Sequence, residues 1–368
     1  MFFFLEIFVC FCNRFLSYQS MAILSEEDER YDRQIRLWGA EAQNNLRNAN
    51  ILIIGLTGLG SEIVKNVVLS GIKSLVLVDN RKITEMPKGQ VESQMLVSFD
   101  KKQDEELSIA ELSLSRCYEL NPSVETTCVS EIPFDKIKEI ETKNFQIVIT
   151  CDQKRETELA VYAACKESNT PFLTGKTAGY FGQAIIDCGT DYKCQVPKPK
   201  IAKEEILDQD NKKGEVMEDD DKKDEEEDEG EAFQEETFQY DHFSSLISKF
   251  TDPEPLFKKL KNREAKNLNQ ALIIINMLYE NLVINEENVK EFSQKLSGKS
   301  DLWEGKNLMY HNLEELEYST QGQLAAVTAV VGGFMAQEVI RVASKKEKPF
   351  ENVFLFDGLN YKGDVMKI

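Results

Sequence analysis

Ile51-Leu-Ile-Ile54 runs directly into Gly55-Leu-Thr57-Gly58-Leu-Gly60, and Ser61 to Leu69 continues as an apolar, helix-compatible stretch. A second apolar run, Leu75 to Val78, ends at Asp79. Strand, glycine turn, helix and second strand make the βαβ layout that sets an anionic ligand against a helix N-terminus. Such a turn also serves as a plain tight connection between strand and helix, and glycine spacing alone does not separate the two uses.

Working outward, Ser25-Glu-Glu-Asp-Glu29 reads as a capped helix start, with the helix running through Leu37 into Trp38-Gly39. Ala40 to Leu46 is a second helical segment, and Asp104 to Leu120 an amphipathic helix closed by Asn121-Pro122. Val124 to Val129 and Phe145 to Thr150 read as strands, Thr157 to Glu167 as a helix, and Pro171 to Thr174 as a strand ending at Gly175. Tyr180 to Ile186 looks antiparallel. This alternation predicts an α/β fold with a doubly wound, Rossmann-like, mostly parallel sheet and an inserted, smaller α-rich region. The expected division is an extension at 1–20, the first part of the sheet domain at 21–194, the insert at 195–309, and the domain's C-terminal part at 310–368. Within the insert, Asn267 to Asn281 carries the clearest apolar helical stripe, through Leu268, Ala271, Leu272, Ile275 and Leu278.

The net charge of −20 disfavours nonspecific nucleic-acid binding, which needs a basic face. Glu218 to Glu231 holds eleven acidic residues against two lysines, so −9 of that charge is local and −11 is left for the rest. A block that repels itself forms no core, and a disordered acidic loop is expected over about 203–236. Met1 to Cys12 is apolar but lacks a basic start and contains Glu6, and it is too short and interrupted for a membrane span. It reads as an upstream extension, with Met21 as the natural start and no membrane partner expected.

Eight cysteines, Cys10, Cys12, Cys117, Cys128, Cys151, Cys165, Cys188 and Cys194, include no Cys-x-x-Cys pair. A tetrathiolate zinc site is therefore not expected, no metal ligands are assigned, and a reducing compartment is implied. No cysteine stands out as a nucleophile. Gly175-Lys-Thr177 lacks the spacing of a phosphate loop.

Tyr31-Asp-Arg33-Gln-Ile-Arg36-Leu-Trp-Gly39, set just before the glycine turn, makes the pattern specific. Together the two segments resemble the adenylating domains of ubiquitin-like-protein activating enzymes and their bacterial ThiF/MoeB relatives. The resemblance implies that Arg33 acts catalytically in trans, reaching across a pseudo-twofold dimer to ATP phosphates held by the partner, with Arg36 in support. A guanidinium suits that task because its fork of donors stays charged.

The cofactor-binding positions of the family fall on Gly55, Gly58, Gly60 and Asp79, and here they are degenerate. Thr57 replaces a glycine, Asn80-Arg81 replaces the expected ribose carboxylate, and Glu85-Met-Pro-Lys-Gly-Gln90 replaces an ATP-contacting segment. A side chain at Thr57 obstructs the approach of a phosphate to the backbone. The resemblance thus implies a pseudo-enzyme half, with no cofactor bound by this chain alone and with MgATP, structural zinc and the catalytic cysteine in the partner subunit.

Ala325 to Arg341 and Phe354-Leu-Phe-Asp-Gly-Leu-Asn360 are similar to the noncatalytic small subunits of SUMO-activating enzymes. The resemblance is read over Glu26 to Tyr192 and Tyr310 to Ile368. It implies a heterodimer with the catalytic large subunit, engagement of SUMO and the SUMO-conjugating enzyme through the complex, and residence in the nucleus with some in the cytoplasm. The alternative is a self-sufficient ThiF/MoeB-like homodimeric adenylating enzyme, against which Thr57 and Arg81 speak. A nicotinamide-dependent dehydrogenase shares the fold class but gives the Arg33 segment no role.

Overall fold

The computed structural model describes residues 26–86, 88–97, 106–129, 141–198, 233–251 and 322–367, together with Met277, Asn288 and Glu291. Strand β1 (Asn50–Ile54) pairs in parallel with β2 (Ser74–Val78) and with β4 (Ile147–Cys151), Ile51 standing opposite both Leu75 and Ile147. β2 pairs on with β3 (Glu125–Cys128), and β4 with β5 (Phe172–Ala178), all in parallel. β6 (Phe181–Asp187), β9 (Val353–Asp357) and β10 (Lys362–Met366) then extend the sheet antiparallel, giving the order β10-β9-β6-β5-β4-β1-β2-β3. The expected doubly wound, mostly parallel sheet is present. Its strand order reverses beside β1 and β4, the crevice where ligands bind in such sheets.

Both faces of β1 are covered, which is why Ile51 to Ile54 is continuously apolar and not alternating. Ile51 and Ile53 enter the core formed with helices α3 (Gly58–Leu69), α5 (Ile109–Leu120) and α8 (Ala325–Ser344). Leu52 and Ile54 enter the opposite core, with α6 (Arg155–Ser168) and α7 (Phe243–Thr251). There Tyr162, Phe172 and Phe243 meet with ring centroids 5.1–5.7 Å apart. The side chains of Ile51 to Ile54 are all fully buried, each contributing roughly 1.5–3 kcal/mol of transfer free energy.

The N-terminal helices are α1 (Glu26–Trp38) and α2 (Ala40–Arg47), separated by Gly39 at φ +90°. A short helix α4 (Lys88–Ser93) follows the 3-10 turn Ile83–Glu85. α8 is long and apolar enough by length and composition to cross a membrane, yet it lies against α3 and the sheet. A Cβ at Gly332 would come within 2.7 Å of the Glu62 Cβ on α3, so that glycine permits close helix contact.

Several boundaries differ from the sequence reading. The helix expected from Asp104 is described only from Ile109, because Ser108 and Glu111 form a capping box that starts it there. The strand expected to end at Gly175 continues to Ala178, because β6 pairs along it and Gly175 leaves room for the Met335 side chain. The break expected between 194 and 195 falls inside β7 (Tyr192–Pro197). The acidic loop expected to reach 236 is replaced at its end by β8 (Phe233–Phe238), which pairs with β7.

Gln195 exchanges backbone hydrogen bonds with the segment after α8, donating to Lys345 at 2.9 Å and accepting from Glu347 at 2.8 Å. Lys346 and Lys348 lie over the Phe233 and Phe238 rings at 4.4 and 4.5 Å. The Asn267 to Asn281 helix lies outside the described residues apart from Met277, which is helical and fully buried.

Candidate functional site

At the switch point, Gly55 has φ +94°, and a Cβ there would collide with the Cys151 carbonyl and the Gln153 amide. The turn delivers the Gly58 N–H, at the first residue of α3, to the place where a bound anion would sit. That N–H is already taken: it donates to Gln323 Oε1 at 2.9 Å. A Cβ at Gly58 would also strike Ser93, so the space over the glycine is filled by the chain's own side chains.

Gln323 passes the connection on. Its Nε2 donates to Asp152 Oδ2 at 2.6 Å and to Thr177 Oγ1 at 2.7 Å. Asp152 stands just beyond the C-terminal end of β4, at φ +52°. Its carboxylate also accepts from the Thr177 N–H at 2.7 Å and from the Thr57 hydroxyl. Desolvation pushes the Asp152 carboxyl above its ordinary value, and these three hydrogen bonds pull it back. Nearby Lys176, 8% exposed, is pushed down by desolvation against the pull of Glu158 and Asp152. The Gly58 N–H is thus met by a neutral amide oxygen, with the Asp152 carboxylate behind it on the amide nitrogen.

Asp79, fully buried, accepts from the Leu56 N–H at 2.8 Å. Arg81 grips it bidentately, Nε to Oδ1 at 2.9 Å and Nη2 to Oδ2 at 2.6 Å, and its own N–H adds a third bond at 3.2 Å. Gln94 closes the turn from the far side, donating to the Leu56 carbonyl at 2.6 Å. Gly55, Gly58, Gly60 and Asp79 lie together around this turn, a Cβ at Gly60 running into the Gly55 carbonyl. A nucleotide held there would have to displace Gln323 from Gly58, meet the Asp152 charge, and remove Arg81 from Asp79. The residues present do not fit ATP bound in that manner.

Arg33 lies elsewhere. Tyr31, 1% exposed, anchors α1: its ring fills the space over Gly71, and its hydroxyl accepts from Asn121 Nδ2 at 2.7 Å. Two residues further along a helix, at about 100° per residue, Arg33 faces away from that anchor and is exposed. Gln34 of the same helix reaches the Leu69 carbonyl at 3.5 Å, at the C-terminal end of α3. The twelve residues of α3 separate that end from the glycine turn by about 18 Å. Arg33 thus stands at the wrong end of α3 to serve its own turn, and among the described residues it has no ion pair. Arg36 pairs with Asp32 at 3.0 Å, 78% of its side chain exposed, so it is engaged within its own helix.

Burial raises every described thiol: Cys117 and Cys194 to about 11, Cys165 to about 12, Cys151 and Cys188 well above the ordinary value, and Cys128 in the same direction. Such thiols are poor nucleophiles. Among the described residues no cluster of three His, Cys, Asp or Glu side chains could hold a metal ion.

The sequence reading missed Asp152, Ser93, Thr177 and Gln323. Asp152 carried a usable signal, since an acidic residue at the carboxyl end of a central strand faces the switch-point crevice. Gln323 carried none, lying 265 residues from its partner.

A glycine turn at the switch point of a doubly wound sheet, filled by the chain's own side chains, defines a nucleotide-binding fold whose site is closed from within. The chain belongs to the ThiF family, whose profile matches residues 31–368. Relatives named SUMO-activating enzyme subunit 1 include those of Danio rerio and Homo sapiens. Both are 29% identical to this chain, aligning over 93% of it and 95% of the relative. The relative of the same name from Xenopus tropicalis is 29% identical over 94% of this chain and 96% of its own. Among solved structures, E. coli MccB with succinimide aligns with 92% of this chain and 71% of its own, at 13% identity and a TM-score of 0.49.

These matches correct the recognition drawn from the sequence, which named the noncatalytic small subunit itself and rested on two separate blocks. The family match runs without a break from 31 to 368, through the insert. That match defines membership of the ThiF family, while the relatives are 28–29% identical and the subunit name stays with them.

Proposed function

We propose that this ThiF-family chain is the pseudo-enzyme half of a heterodimer that activates a ubiquitin-like modifier, SUMO by the names of its relatives. In this reading the complex adenylates the modifier's C-terminal glycine, forms a thioester and passes it to the conjugating enzyme. The partner, a large subunit, brings the ATP site, zinc and catalytic cysteine. This chain binds no ATP alone and contributes Arg33 to the partner's site. Nuclear residence, with a cytoplasmic share, belongs to the same reading.

The observation that carries the reading is a pair of opposites. The chain's own anion position is occupied by Gln323 and its ribose position by Arg81, while Arg33 is held outward at the far end of α3. A face for the partner is at hand as well. Ala326, Ala329 and Val330 are exposed on α8, and Gly333 beside them has nothing within 4 Å of its would-be Cβ. Their i, i+3, i+4, i+7 spacing puts these small apolar residues on one stripe.

Modifier-dependent ATP–pyrophosphate exchange tests this. The chain alone should give none, the chain mixed with a SUMO-activating large subunit should give exchange, and Arg33→Ala should slow the mixture with the heterodimer intact. Trans arginines in phosphoryl transfer contribute ~10³–10⁵ in rate, a guide by analogy for the size of that loss. Exchange by the chain alone would overturn the reading.

A further inference from the structure

Helix α1 is tied to the body of the protein by several polar contacts, and two of them, from consecutive residues, converge on one side chain. Asn121, at the C-cap of α5, is 1% exposed. Its Nδ2 donates to the Tyr31 hydroxyl at 2.7 Å and to the Val68 carbonyl of α3 at 2.9 Å. Its Oδ1 accepts from Arg30 Nη1 at 2.7 Å and from the Ser123 N–H at 3.2 Å. Both amide donors and both acceptor lone pairs are used, so the amide has one orientation.

Two consecutive residues of α1, Arg30 and Tyr31, are thereby tied to one point shared with α3 and α5. A helix held at two adjacent positions about 100° apart around its axis cannot roll. The other polar contacts of α1 lie at its C-terminal end or are long. Trp38 Nε1 donates to Gln43 at 3.1 Å and the Trp38 carbonyl accepts from Lys346 Nζ at 2.6 Å, five residues beyond Arg33. Arg30 to Ser123 is 3.4 Å, Gln34 to Leu69 is 3.5 Å, and Arg36 to Asp32 lies within the helix. The roll of α1 is what aims Arg33.

We propose that Asn121 is a positioning residue for Arg33, acting through Tyr31 and Arg30 to fix the direction in which the guanidinium leaves the subunit. The proposal rests on the reading of Arg33 given above. A substrate-contacting group misplaced by about 1 Å can cost on the order of 100-fold in rate. Asn121 therefore affects the chemistry of a site it does not touch.

The test uses the full chain reconstituted with the large subunit, reading kcat and KM for ATP in pyrophosphate exchange. Asn121→Ala and Tyr31→Phe are each compared with Arg33→Ala and with the double variants. Tyr31→Phe keeps the ring over Gly71 and deletes only the hydroxyl, so it serves if Asn121→Ala fails to fold.

Each single variant is expected to lower kcat by about tenfold or more with heterodimer affinity unchanged. In the Arg33→Ala background neither should lower it further, because groups acting through one another are not additive. Wild-type kcat in both variants, or the same loss with and without Arg33, would overturn the proposal and leave Asn121 a purely structural residue. If Arg33→Ala itself leaves exchange intact, the Arg33 reading fails and the positioning role fails with it.

Discussion

Gln323 and Gly58 are joined by a 2.9 Å hydrogen bond across 265 residues, the amide oxygen of one capping the helix N–H of the other. The same amide's nitrogen bonds Asp152 and Thr177, so Gln323 is the centre of a polar network that closes the glycine turn. Gly322, its neighbour, accepts the Gly179 N–H at 2.9 Å, and α8 begins three residues later, at Ala325. The closed site also fastens the start of the last helix to the sheet.

Gln323→Ala removes both ends of that bridge. It strips the acceptor from the Gly58 N–H and one of four hydrogen bonds from the Asp152 carboxylate. The expected loss is about 1–3 kcal/mol of stability, the cost of unsatisfied buried polar groups. Urea unfolding of the isolated chain measures it. Calorimetric titration of the variant with MgATP should still show no binding, because Asp152 and Arg81 remain. Binding would show Gln323 to be the sole obstruction.

Arg81→Ala leaves the fully buried Asp79 carboxylate with the N–H groups of the turn and without its cation. Arg81 keeps 27% of its side-chain surface, which screens the pair and lowers its worth relative to a fully buried one. A destabilisation of about 1.5–3 kcal/mol follows, the range for hydrogen bonds to charged groups. Arg81→Lys should recover only part of it, since an ammonium cannot make the bidentate contact. Equal stability of wild type and Arg81→Ala would mean that the pair contributes nothing.

These two residues also mark what the sequence could and could not disclose. Arg81 was legible because it lies two positions after Asp79, where a carboxylate was expected. The burial of β1 on both faces was legible because Ile51 to Ile54 has no polar break. Gln323 was illegible because no local pattern marks a glutamine that reaches back to a turn 265 residues away. Gly175 was misread as a strand end because glycine usually interrupts strands. Here the missing Cβ admits the Met335 side chain from α8, a tertiary reason with no local trace.

Glu338 gives a pH prediction. It is fully buried on α8, accepting from Arg341 Nη1 at 2.5 Å and from the Phe350 N–H at 3.0 Å. Desolvation raises its carboxyl above the ordinary value, and the Arg341 pair only partly offsets this. A raised folded-state value means that Glu338 binds its proton more tightly in the native state. Its stabilising share is full below the ordinary carboxylate range and is lost as pH rises through the raised value. Glu338→Gln should therefore gain in stability relative to wild type as pH climbs through the mildly acidic range. Denaturation midpoints at a series of pH values check it, and a constant difference between the two proteins would refute it.

Gly332 and Gly333 are neighbours on α8 with opposite demands, so one substitution applied at both separates core from surface. At Gly332 an added Cβ would sit 2.7 Å from the Glu62 Cβ and 3.4 Å from the Leu59 carbonyl, both fixed by the backbone of α3. Neither can swing aside, and the helices must part. Overpacking of this kind costs about 1–3 kcal/mol, more than the roughly 1 kcal/mol that alanine gains over glycine in a helix. Gly332→Ala should therefore destabilise the isolated chain.

At Gly333 nothing lies within 4 Å of the would-be Cβ, so Gly333→Ala should stabilise by about 0.5–1 kcal/mol. If the large subunit covers this stripe closely, the same methyl group should weaken the heterodimer while it strengthens the monomer. Unfolding of the isolated chain and titration against the large subunit give the two quantities separately. A variant that stabilises the chain and leaves the affinity unchanged would place the interface away from Gly333.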